Sequence, residues 1–100
     1  MRIVARSTLA AFWERHPETR APLTHWLNIA KAARWASMAE VQATFPKAKA
    51  LNAERMRFEI HGGDYRLIAA VDFRRQALFI KFLGTHAEYD RIDALTVSRY

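Results

Sequence analysis

Met56-Arg57-Phe58-Glu59-Ile60-His61-Gly62-Gly63-Asp64-Tyr65-Arg66-Leu67-Ile68-Ala69-Ala70-Val71-Asp72-Phe73-Arg74-Arg75-Gln76-Ala77-Leu78-Phe79-Ile80-Lys81-Phe82 reads as three strands joined by two turns. Gly62-Gly63 is a strong hairpin signal, because both central residues of a tight hairpin turn need positive φ. Centring the turn there pairs Ile60 with Tyr65, Phe58 with Leu67 and Met56 with Ala69. Centring the next turn on Arg74-Arg75 pairs Val71 with Leu78, Ala69 with Ile80 and Leu67 with Phe82. Both registers put Met56, Phe58, Leu67, Ala69, Val71, Leu78, Ile80 and Phe82 on one apolar face. Slipping either strand by one residue would scramble that face.

The opposite face is mixed, with Arg55, Arg57, Glu59, His61, Arg66, Ile68, Ala70, Asp72, Phe79, Lys81 and Leu83. In this register Arg57, Ile68 and Lys81 form one row across the strands, and Glu59, Arg66 and Leu83 form the next. Cations gathered on a half-exposed face fit an ordinary solvated surface. They also fit a cradle that stabilises negative charge on a phosphoryl group. Arg66, on the middle strand, is expected to be partly buried, with Glu59 opposite as its partner.

The apolar face needs a cover, and the first half of the chain supplies one. Ile3 and Val4 favour a short first strand. Ser7 or Thr8 can cap a helix whose apolar side carries Leu9, Phe12, Trp13 and His16, and Pro17 stops it. A second helix is expected from about Thr19, tolerating Pro22 in its first turn, with Leu23, Trp26, Leu27 and Ala30 as its stripe. Ser37-Met38-Ala39-Glu40 is a capping box for a short third helix carrying Met38, Val41 and Phe45 before Pro46. Residues 47–53 read as a loop. Trp13 and Trp26 belong to apolar stripes and read as core, whereas Trp35 follows the second helix and stays open.

Beyond the third strand of the meander the chain continues Leu83-Gly84-Thr85-His86-Ala87-Glu88-Tyr89-Asp90. Thr85-His86-Ala87-Glu88 is a second capping box, so a last helix should begin at His86. His86 with Tyr89 is an i,i+3 pair and His86 with Asp90 an i,i+4 pair, so an imidazole, a phenol and a carboxylate share one face. Such groups serve equally as surface residues or as acid–base catalysts. A phosphodiester attacked by its own 2′-OH needs one group to remove that proton and another to protonate the leaving oxygen. Histidine suits either role near neutral pH.

One hundred residues support a single domain, residues 1–100, with one modest core. Sixteen Lys and Arg against ten Asp and Glu give a net charge of +6 and a pI near 10.3, which favours anionic partners. The chain has no cysteine, which excludes disulfides and thiolate metal sites and fits a reducing cytoplasm. His16, His25, His61 and His86 lack paired ligand spacing, so no metal is expected, and no cofactor motif is present. No apolar run approaches a membrane span, and the charged opening Met1–Arg6 reads as a strand rather than a signal peptide.

Over nearly its whole length the sequence resembles the HigB family of type II toxin–antitoxin toxins, a branch of the RelE-like group. The opening through Phe12-Trp13, the stretch from Trp26 through Trp35 to Phe45-Pro46, and the hairpin Arg57–Ile60 with Tyr65–Ile68 all carry it. Phe82–Asp90 carries it most specifically. The resemblance implies a metal-independent endoribonuclease, an mRNA interferase that cleaves mRNA, often on the ribosome, and is silenced by a HigA-like antitoxin. It implies an α+β RelE-like fold: a four-stranded antiparallel sheet with the first strand at the meander's edge, two N-terminal helices on one face, and a short C-terminal helix. It carries over Arg66, Lys81, His86, Tyr89 and Asp90 as catalytic residues. Arg55, Arg57, His61, Arg74 and Arg75 are then the groups expected to hold RNA. The competing reading is a basic nucleic-acid-binding module that does not cut, although no helix-turn-helix pattern is present.

Overall fold

The computed structural model describes residues 1–100. Its strands are β1 (Arg2–Val4), β2 (Lys49–Ala50), β3 (Arg55–Ile60), β4 (Tyr65–Asp72) and β5 (Ala77–Thr85). Its α-helices are α1 (Ser7–Arg15), α2 (Arg20–Ala32), α3 (Met38–Thr44) and α4 (His86–Tyr89), with a 3₁₀ turn at Pro17–Thr19. The strands form one sheet in the order β1-β5-β4-β3-β2.

The meander has the expected register over most of its length. Ile60 pairs with Tyr65, Phe58 with Leu67, Met56 with Ala69, Val71 with Leu78 and Ala69 with Ile80. Both turns are centred where the sequence puts them, but each loop spans four residues, His61–Asp64 and Phe73–Gln76. His61, Gly62 and Gly63 all take positive φ. Gly63 is required twice over: at φ +96° a side chain would be strained, and its Cβ would lie 2.8 Å from Glu59 Oε1.

Two expectations about the sheet are corrected. It has five strands rather than four, because Lys49–Ala50, inside the stretch read as a loop, pairs with Arg57 and Met56. Two residues are too few to show alternation. The sheet is also mixed rather than antiparallel, since β1 runs parallel to β5, with Ile3 beside Leu78. The helices supply the crossover that a parallel pair requires. The N-terminal ammonium, bonded to the carbonyls of Ala33 and Lys31, ties the chain start to the end of α2.

A third correction decides the site. Ala69 pairs with Ile80, but Ile68 pairs with Phe82, so Lys81 is the extra residue of a β-bulge. Beyond it every side chain of β5 changes face. Leu83 joins the core and Phe82 moves to the opposite side, reversing the expected placement of both. The expected rows become Arg57–Ile68–Phe82 and Glu59–Arg66–Gly84.

The core forms where α1 and α2 cover the apolar face. Leu9, Phe12, Leu23, Trp26 and Ala30 join Met56, Phe58, Leu67, Ala69, Val71, Leu78 and Ile80 in one buried cluster. Trp13 is half-buried against it, and Trp35 is buried with its indole N–H donating to Thr44 Oγ1 at 2.9 Å. α1 begins at Ser7 itself, so neither Ser7 nor Thr8 caps it. Ser37 does cap α3, accepting from the Glu40 N–H. No helix is long and apolar enough to cross a membrane.

Candidate active site

α4 is set by its cap. Thr85 Oγ1 accepts from the Glu88 N–H at 3.1 Å, and Glu88 Oε1 accepts from the Thr85 N–H at 3.0 Å, a complete capping box. That second bond, chiefly, holds the Glu88 carboxyl below the ordinary carboxylate range. The His86 N–H donates to the Asp64 carbonyl at 2.9 Å, which anchors the helix start to the β3–β4 loop. One turn on, His86 Nδ1 lies 3.1 Å from Asp90 Oδ2, and both side chains are more than half exposed. Tyr89 lies beside Phe82, with ring centroids 6.2 Å apart.

Gly84 permits this packing. A Cβ there would lie 2.7 Å from the tip of the Phe82 ring. Phe82 is itself fully buried, although it faces away from the core. Its cover comes from the C-terminal segment. The Arg99 N–H donates to the Lys81 carbonyl at 2.9 Å, and the Arg99 guanidinium sits 4.8 Å from the centre of the Phe82 ring. Arg57 stands 5.9 Å from the centre of the Tyr89 ring, with a buried Nε that has no hydrogen-bond partner in the chain. Two guanidiniums thus flank an aromatic pair at the foot of α4.

The other sequence-derived candidates divide. Arg66 is nearly buried, and its Nη1 donates to the Gly63 carbonyl at 2.7 Å and to Glu59 Oε1 at 3.2 Å. The expected partnership with Glu59 is present, and Arg66 also fastens the loop on which α4 rests. Lys81, displaced by the bulge, carries its ammonium over Phe79, towards the β4–β5 turn. Arg55 donates to the carbonyls of Ala94 and Val97, at 3.1 and 2.7 Å, and so holds the C-terminal segment. His61 sits in the hairpin loop, paired with Asp64 at 3.0 Å. Arg74 and Arg75 occupy the opposite end of the sheet, a strand length of about 25 Å from α4.

A second polar cluster lies across the strand ends from α4, on the helix side. The Tyr65 phenol donates a hydrogen bond to Glu18 and stands 3.4 Å from His16 Nδ1. That bond holds Glu18 below the ordinary carboxylate range and pushes Tyr65 up to about 12. His16 also stacks on Phe12 at 4.5 Å. Sequence reasoning missed this cluster and Arg99. The first had one signal, a histidine on the apolar stripe of α1. Arg99 had none, because it reaches the site only through the fold. No group of three His, Cys, Asp or Glu side chains is placed to hold a metal ion.

A basic α+β chain with an exposed imidazole–carboxylate pair and a phenol on a cationic sheet face is the setting in which its relatives become informative. Residues 19–92 match the family described as the RelE-like toxic component of a toxin–antitoxin system. The chain therefore belongs to the HigB toxin family. It is also similar to the mRNA interferase HigB of Escherichia coli O6:H1 (strain CFT073), with 21% identity over 94 residues, covering 92% of this chain and 91% of that one.

Proposed function

We propose that this chain is a toxin that cleaves mRNA through attack by the RNA's own 2′-OH, without a metal ion. The observation that carries the reading is the 3.1 Å contact between His86 Nδ1 and Asp90 Oδ2, exposed beside Tyr89 and Arg57. A proton on Nδ1, shared with Asp90, leaves Nε2 as the basic nitrogen. His86 then removes the 2′-OH proton and Tyr89 protonates the departing 5′-oxygen. The 2′-oxygen bonds to phosphorus as the P–O5′ bond breaks, giving a 2′,3′-cyclic phosphate and a 5′-hydroxyl. Asp90 orients His86. Arg57, whose guanidinium stands beside the Tyr89 ring, and Arg66, as a fixed charge behind the loop, stabilise the phosphorane. Lys81, one residue out of that row, holds the backbone. The net charge of +6 supports RNA binding.

The similarity to an mRNA interferase supports the same substrate; the proposal adds that the mRNA is met on the ribosome, in the cytoplasm. The family description supports an antitoxin partner, here HigA-like and acidic where it meets the basic face. Cell-free translation tests the reading. The chain should arrest synthesis and leave cut mRNA with 5′-hydroxyl ends, and cleavage of RNA alone by the chain should be undiminished in a metal chelator. Equal arrest by His86→Ala would remove His86 from the mechanism. Arrest with intact mRNA would end the nuclease reading.

A further inference from the structure

We propose that residues 93–100 form part of the RNA site, and that Arg99, held there by Arg55, binds a phosphate of the RNA backbone. The inference rests on the RNA-cleaving reading and adds to it a substrate contact delivered by the C-terminal segment. That segment is a built element. The Thr96 and Val97 N–H groups both donate to the Asp93 carbonyl, closing a turn. Arg55 caps the turn through the Ala94 and Val97 carbonyls, and the Arg99 backbone then pairs with Lys81 at the bulge. These contacts bring Arg99 onto Phe82, in the row where the unbulged register would have put the Lys81 side chain.

The surroundings of Arg99 leave its charge available. Its carboxylate neighbour is Glu88, whose Oε2 lies 3.8 Å from Arg99 Nη1, a loose contact beyond hydrogen-bond distance, while its Oε1 accepts from the Thr85 N–H. The Arg99 side chain is 43% exposed. Arg99 stands over Phe82 and Arg57 over Tyr89, one guanidinium on each ring of the pair beside His86. A strand whose scissile linkage lies at His86 would run between two planar cations, each able to grip phosphate oxygens through two N–H groups. Arg55 is a positioning residue: it touches the segment, and Arg99 touches the RNA.

The test measures binding of a short 2′-O-methylated RNA, which lacks the attacking hydroxyl, across a range of KCl concentrations. Arg99→Ala and Arg99→Gln should bind about tenfold more weakly at low salt. Their log–log salt slope should be shallower by about 0.7, one phosphate contact on a single strand. Arg55→Ala should lose the same slope, and Arg99→Lys and Arg55→Lys should recover it. Arg20→Ala, which removes an exposed charge on the helix side, should match wild type. A merely structural Arg99 would lower the melting temperature and leave the slope alone. Wild-type affinity and slope in both Arg99 variants, or an equal slope loss in Arg20→Ala, overturns the Arg99 contact while RNA cleavage by wild type still stands. An unchanged slope in Arg55→Ala overturns the positioning role. A wild-type chain that does not bind this RNA overturns the Arg99 contact, and one that also leaves mRNA intact in cell-free translation overturns the cleavage reading as well.

Discussion

Gly84 and Phe82 are fitted to each other: a methyl group on Gly84 would sit 2.7 Å from Cζ of the Phe82 ring. The ring is fully buried, so admitting the methyl group forces it to shift against its packed neighbours. Gly84→Ala should therefore destabilise the fold by about 1–3 kcal/mol. It should also reduce RNA cleavage, because Phe82 supports Tyr89 and seats Arg99. A urea titration and a cleavage assay on the same preparation check both effects. Wild-type stability would mean that the ring tip finds another place.

His86 and Asp90 should separate in kinetics. Removing a general base typically lowers rate by about 10²–10⁴-fold, so His86→Ala should fall in that range. Asp90→Asn, which keeps size and loses charge, should cost less, because it only orients the ring. Single-turnover cleavage of a defined RNA measures both. An Asp90→Asn defect as large as that of His86→Ala would make Asp90 a participant rather than a guide.

The Tyr65–Glu18 bond makes stability depend on pH at both extremes. Glu18 is held below its usual 4.5, so its contribution is complete above that value and disappears as pH falls through the lower folded value. Tyr65 is raised from 10.0 to about 12, so its contribution is complete below pH 10.0 and fades as pH rises towards 12. Urea midpoints measured across pH should fall at both ends for wild type. Tyr65→Phe and Glu18→Gln should each flatten both limbs, because the one bond shifts both groups.

Arg66 should behave as a structural pin as well as a charge. Arg66→Met leaves the Gly63 carbonyl without that bond and Glu59 without its cation. Because Glu59 is partly solvated, the cost should be about 1–3 kcal/mol rather than that of a fully buried pair. Adding Glu59→Gln should restore part of the loss, which a double-mutant cycle reads directly. Strict additivity would mean that the two side chains do not interact.

The sequence showed the meander because glycine chemistry at residues 62 and 63 and the alternation on both sides of it are local signals. The capped start of α4 was legible for the same reason: Thr85 and Glu88 need only each other. The bulge was not, because whether Lys81 or Phe82 lies opposite Ile68 depends on packing between strands, and both faces accept an apolar residue there. β2 was too short to show a period. The hydroxyls of Ser7 and Thr8 suit a cap, yet helical backbone already begins at Ser7. Of the site, His86, Tyr89 and Asp90 fall together by helical spacing. Arg74 and Arg75, expected from their charge to hold RNA, stand a strand length from those three.

The pairing of β1 with β5 has a consequence for synthesis. Val4 meets Phe79, so the sheet cannot close until residue 79 has been translated. At ordinary elongation rates the gap between those two residues takes roughly 4–15 s to cross. Throughout that interval the nascent polypeptide lacks the complete β5 and α4, the elements that carry the proposed site. The proposed RNA site is thus assembled only in the final stretch of translation.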